Sequence, residues 1–117
     1  MGFTREDVEY CYEYRKDTDF IRLMKTYKII KEEAERINRK DVKKNRFETG
    51  LNVGIISKET GLSPSIVRKR LQELKNLGTV HYSHHSSGGK TIIYLIDSRE
   101  RSFLDEMLEK AQKENLL

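Results

Sequence analysis

Residues 52–78 read NVGIISKETGLSPSIVRKRLQELKNLG, and the order of signals in that stretch decides the fold. Asn52 is a good N-cap for a helix over Val53–Thr60, because its short side chain can accept from a first-turn N–H. Gly61 ends that helix in the left-handed conformation, which costs glycine least. Leu62 plugs the turn. Ser63 is the next N-cap, and Pro64 takes the first helical position, where a missing N–H costs nothing. A second helix then runs over Pro64–Leu77. Val67, Leu71, Leu74 and Leu77 recur on its inward face at helical spacing, and Gly78 closes it.

Strands follow this pair of helices. The β-prone runs Thr79–His85 and Thr91–Ile96 flank Ser86-Ser87-Gly88-Gly89, which predicts a β-hairpin. Asp97 or Ser98 then caps a last helix with an apolar stripe of Phe103, Leu104, Met107, Leu108 and Ala111. On the N-terminal side, Glu48–Leu51 reads as a short strand and Asn38–Asn45 as a polar stretch without period. Phe20, Leu23, Met24, Tyr27, Ile30, Ala34 and Ile37 recur at spacings of three and four, a long helix. Thr4 and Asp7 make a capping box for a first helix over Arg5–Lys16, with Val8, Cys11 and Tyr12 on one face. The predicted class is mainly α with a small β-hairpin (α+β), one domain over 1–117. Its parts are N-terminal helices (1–45), a helix-turn-helix with hairpin (46–96) and a C-terminal helix (97–117).

The helix, tight turn, helix and hairpin over residues 47–96 resemble the winged helix-turn-helix of MarR-like transcription regulators. The resemblance rests on Gly61 and Leu62 in the turn, the Leu62-Ser63-Pro64-Ser65 entry, the Val67, Leu71 and Leu74 ladder and the closing Gly78. It implies a DNA-binding regulator whose helix 64–77 enters the major groove and whose wing 79–96 meets the backbone or minor groove. A helix of about 14 residues is roughly 21 Å long and fits a groove about 12 Å wide. Ser65, Arg68, Lys69 and Gln72 lie opposite the apolar ladder. Arginine can pair with guanine and glutamine with adenine, each worth roughly 1–3 kcal/mol of discrimination. Ser63 and Ser65 stand at the helix N-terminus, which favours phosphate. Arg70, Lys75 and Lys58 are expected to reach the DNA backbone, as are His84, His85 and Lys90 of the wing.

Charge supports that reading only through its placement. Charged residues make up 36% of the 117, against about a quarter in ordinary domains, yet the net charge is only +4. Residues 1–17 and 97–117 are each net −2, while 18–45 and 46–96 are each net +4. The ends are acidic and the centre is basic, which predicts different roles for them. A length of 117 residues leaves no room for a separate ligand-sensing domain. The lone Cys11 makes neither an intrachain disulfide nor a cysteine-based metal site. No apolar run spans a membrane, and the first residues lack a signal-peptide pattern. An intracellular, cytoplasmic protein is expected.

Other residue groups read more plainly. His81 and His85 share a strand face while His84 opposes them, and no acid or cysteine in the hairpin completes a metal site. No metal and no cofactor is expected. Tyr10, Tyr12 and Tyr14 alternate, and alternate residues do not share a helix face; they also sit in an acidic block, so packing or an interface is expected rather than base stacking. No phosphate-cradling glycine loop, nucleophile elbow or triad is present, so no enzyme is expected. Ile55 and both faces of the strand 91–96 carry surplus apolar groups that need covers. Phe103, Leu104, Met107 and Leu108 are expected to pair with a second copy in a homodimer, placing two recognition helices about 34 Å apart on double-stranded DNA. Three functions share this module. They are transcription regulation, plasmid or viral replication or partition, and protein–protein interaction without DNA. Nothing marks a small-molecule effector.

Overall fold

The longest helix is the hub of the molecule. The computed structural model describes residues 2–14, 17–84 and 91–117. Its elements are α1 (Arg5–Glu13), α2 (Asp17–Ile37), β1 (Lys40–Asp41), β2 (Arg46–Glu48), α3 (Val53–Thr60), α4 (Pro64–Asn76), β3 (Val80–His84), β4 (Thr91–Ile96) and α5 (Arg99–Lys113). The period read from the sequence places Phe20, Leu23, Met24, Tyr27, Ile30 and Ala34 of α2 in the core. That helix packs against α1, α3, α4, α5, β2 and β4. Each large apolar side chain so buried contributes roughly 1.5–3 kcal/mol, which is why the small helix-turn-helix and hairpin need α2 beneath them. The chain is mainly α with a small antiparallel sheet, a winged-helix-like arrangement.

The start of α1 and both ends of α3 and α4 are capped where the sequence placed them, whereas Ser98 precedes α5 without a side-chain cap bond. Thr4 Oγ1 accepts from Asp7 N, and Asp7 Oδ2 accepts from Thr4 N at 2.8 Å. Asn52 Oδ1 accepts from Ile55 N at 2.9 Å. At the end of α4, Gly78 has φ +76°. Gly78 N donates to Lys75 O at 3.0 Å and Thr79 N to Leu74 O at 3.1 Å, the paired bonds of a Schellman motif. A Cβ on Gly78 would meet nothing within 4 Å, so only the backbone angle penalises a side chain there. Gly78→Ala is expected to destabilise the fold by about 1–2 kcal/mol in urea unfolding. Gly50→Ala, where the nearest atom is Ile37 Cδ1 at 3.7 Å and φ is not positive, should change stability far less.

Sheet order is β1-β2-β4-β3, all antiparallel. The stretch 38–45, read as merely polar, instead caps α2 and turns into the sheet. Asn38 and Asn45 both take φ 52°, the left-handed region that asparagine tolerates better than most residues. Asn45 Nδ2 donates to Asp97 O at 2.6 Å, and Lys40 Nζ meets Asp97 Oδ2 at 2.7 Å. The strand expected at 48–51 lies earlier, at Arg46–Glu48. Beyond it, Thr49 Oγ1 donates to Ile93 O at 2.8 Å and Leu51 is buried. The surplus apolar groups of β4 are explained by its central place. Ile93 and Leu95 face the helices and are fully buried, while Tyr94 on the outer face lies under Arg46, 3.9 Å from guanidinium carbon to ring centroid.

The expected dimer stripe is spent inside the chain. Phe103, Leu104, Met107, Leu108 and Ala111 of α5 are all buried in the common core, and α5 packs on α2. Tyr27 Oη donates to Asp105 Oδ1 at 2.5 Å and ties the two helices further. Those α5 residues are therefore not available to a second copy. The first helix is shorter than the expected 5–16, ending at Glu13 with Tyr14 as its C-cap. Arg15 and Lys16 lie outside the described residues.

Candidate nucleic-acid interface

The two faces of α4 have opposite character. Val67, Leu71 and Leu74 are 0%, 1% and 0% exposed. Ser65, Arg68, Lys69, Gln72, Lys75 and Asn76 are exposed. Ser63 Oγ accepts from Ile66 N at 3.3 Å and lies 3.3 Å from Ser65 Oγ. Both serines are exposed at the positive end of the helix dipole, where an anion is favoured. Arg68 and Lys69 have no ion-pair partner among the described residues. Lys58 is exposed in the last turn of α3.

Arg70 departs from the expectation that it reaches the DNA backbone. Its side chain is 3% exposed. The guanidinium Nη1 meets Asp19 Oδ1 at 3.2 Å, and Nε lies 2.9 Å from Glu73 Oε1. The second contact lacks hydrogen-bond geometry, so it is an ion pair without a well-aimed N–H. Helical rotation is the reason for this burial. Position 70 falls three after Val67 and four before Leu74, on the inner face. Burial pushes the Glu73 carboxyl above the usual range, while Arg70 and then Lys69 pull it down and Asp19 and Asp7 push it up. Arg70 fastens α4 to the start of α2 and does not reach the DNA backbone.

A link from α4 to the sheet has no counterpart in the sequence pattern. Tyr82 Oη donates to Gln72 Oε1 at 2.7 Å, and Gln72 Nε2 donates to Asn76 Oδ1 at 3.3 Å. Lys75 Nζ lies 5.1 Å from the Tyr82 ring centroid. Burial raises the Tyr82 phenol above its ordinary value, so it stays a neutral donor at neutral pH. Gln72 is thus oriented by Tyr82 rather than freely rotating. The only sequence signal for this was an aromatic on the strand after α4, and its partner depends on tertiary packing.

His81 stands on the outer sheet face, opposite Tyr94, with ring centroids 6.2 Å apart. Burial lowers its pKa first, and the charges of Arg46, Lys75 and Lys44 lower it further. His81 is therefore held neutral at neutral pH. Of the expected wing contacts, His84 ends β3, but its side chain, with His85, the 86–89 turn and Lys90, lies outside the described residues. The three N-terminal tyrosines divide. Tyr12 packs on Phe20 at 5.2 Å between centroids and its Oη donates to Glu114 Oε1 at 2.8 Å. Tyr10 and Tyr14, one turn apart, lie tilted against one another at 4.7 Å between centroids and are exposed, so within the chain they are not packed as expected. No described helix is long and apolar enough to cross a membrane.

No family model matches the chain, and no curated protein matches it. The chain is similar to a solved structure described as a "possible transcriptional regulator from Methanosarcina mazei Go1", with 19% identity and a TM-score of 0.42. The match covers 93% of this chain and 80% of that one.

Proposed function

We propose that this chain is a sequence-specific double-stranded DNA-binding protein that regulates transcription. In this reading α4 enters the major groove and the β3–β4 wing lies against the backbone or minor groove. One observation carries the reading. A capped helix buries one face completely and presents Ser65, Arg68, Lys69 and Gln72 together on the other, with both cations unpaired among the described residues. What favours a groove-reading helix over a merely solvated face is the gathering of cations with hydroxyl and amide groups on one capped face, because phosphate and base edges supply acceptors for all of them. Regulation would follow from occupancy of an operator.

Selection of bound duplexes from a random pool tests this. A consensus is expected, with affinity falling steeply as salt rises, since each neutralised phosphate contributes a log–log slope of about −0.9. Absence of binding to any duplex would favour a protein-interaction module instead. A palindromic consensus would show two copies acting together, and their contact would have to use a surface other than the apolar stripe of α5.

A further inference from the structure

We propose that Tyr82 is a positioning residue for base recognition, fixing the Gln72 amide together with Asn76 so that α4 reads an adenine at one base pair. The proposal rests on the DNA-binding reading above and narrows it to one side chain and one base. Tyr82 is half-buried on β3, on the sheet face shared with Val80 and Ile93, which packs against the helices. Gln72 is exposed on α4, one turn beyond Arg68 and Lys69 on the same face. Tyr82 Oη donates to Gln72 Oε1 at 2.7 Å, and Gln72 Nε2 donates to Asn76 Oδ1 at 3.3 Å. Lys75 Nζ lies 5.1 Å from the centroid of the tyrosine ring, a second tie between α4 and that side chain.

The bonding capacity of the amide then selects the base. A glutamine amide has two lone pairs on oxygen and two N–H donors on nitrogen. Tyr82 and Asn76 use one of each, which leaves one acceptor and one donor for the groove. Adenine is the base whose major-groove edge offers an acceptor and a donor together, N7 and the N6 amino group. Guanine offers two acceptors, cytosine a lone donor, and thymine an acceptor beside a methyl group. A free amide turns over to suit a different edge. An amide held at both ends keeps its oxygen where guanine also presents an acceptor, and the two repel. Holding Gln72 therefore acts against the wrong base as much as for the right one.

Fluorescence anisotropy with the full chain tests this on the selected consensus and on versions of it substituted at each base pair. Gln72→Ala marks the base pair that Gln72 reads, expected to be A·T. Tyr82→Phe keeps the ring and removes only the hydroxyl. It should lower the preference for adenine at that same base pair by about fivefold, the lower end of what a bidentate pair is worth, and leave preferences elsewhere unchanged. In the Gln72→Ala background it should lower it no further, the sign of coupled residues. NMR relaxation of the free chain gives a readout without DNA. The Gln72 side-chain amide should be more ordered than that of Gln112, exposed on α5, and Tyr82→Phe should abolish the difference. A parent-like adenine preference in Tyr82→Phe, equal weakening on every duplex, or a Gln72 amide no more ordered than Gln112 would overturn the positioning role and leave the α4 reading intact. Loss of no single base preference in Gln72→Ala would overturn base reading by Gln72, with α4 still held by Arg68 and Lys69. Failure of the parent to bind any duplex would overturn both.

Discussion

Replacing Arg68 and Lys69 together by glutamate is expected to weaken duplex binding by at least about 100-fold, from two lost contacts worth roughly 1–3 kcal/mol each plus repulsion from phosphate. The fold should survive, because both side chains are exposed and neither has an ion-pair partner among the described residues. Lys69 does act on Glu73 one turn away and pulls its carboxyl down. A glutamate at 69 would instead face Glu73, a like-charge pair costing a few tenths of a kcal/mol, about 0.2–0.5. Arg68→Gln with Lys69→Gln separates the two effects, since it removes the cations without adding acids. It should lose most of the binding with an unchanged melting curve. Filter binding or fluorescence anisotropy at fixed salt reads the first effect, and circular dichroism on heating reads the second. Full binding by the glutamine pair would remove α4 from the proposed groove.

Arg70→Met is expected to destabilise the fold by about 3 kcal/mol in urea unfolding, the low end for breaking a buried ion pair. The low end applies because Asp19 is 55% exposed and water screens that half of the interaction. Glu73, at 16% exposed, is the partner left without compensation. Arg70→Met with Glu73→Leu should recover most of the loss, because an apolar pair of similar volume needs no desolvated charge.

The pH dependence follows from Glu73. Its folded pKa is already raised by burial, with Arg70 opposing that rise. A raised carboxyl binds its proton more tightly in the folded state, so stability falls as pH rises from the ordinary carboxylate value through the folded one. Removing Arg70 raises the folded value further. The single variant should therefore lose stability more steeply with rising pH than the parent, and acid should partly rescue it. A flat difference between variant and parent across that window would refute the role given to Arg70.

Local chemistry made much of the fold legible. Thr4, Asn52 and Ser63 are caps because short polar side chains satisfy first-turn N–H groups close in sequence. Gly61 and Gly78 end helices because few other residues take φ +76° at no cost. Less legible was the stretch 38–45. Its Asn38 and Asn45 are left-handed, but strands as short as β1 and β2 carry no measurable alternation, and their pairing depends on β4. Arg70 was misread despite a period that points it inward. A buried guanidinium is rare unless paired, and its partner Asp19 lies far away in the chain.

The candidate site divides along the same line. Arg68, Lys69, Ser65 and Gln72 share a face by helical geometry alone, so they could be named from spacing. Tyr82 could not, because it joins α4 only through packing between elements. The α5 stripe shows the limit most directly. An apolar stripe at helical spacing states that a helix needs a cover, since exposed apolar area is costly in water. It does not state whose surface covers it. By itself the sequence determined the helices, their caps, the tight turn and the outward bases of α4. The tertiary structure alone decided that α2 covers α5 and that Arg70 faces inward to Asp19 and Glu73. Burial and ion pairing depend on groups distant in the chain, and only folding brings them together.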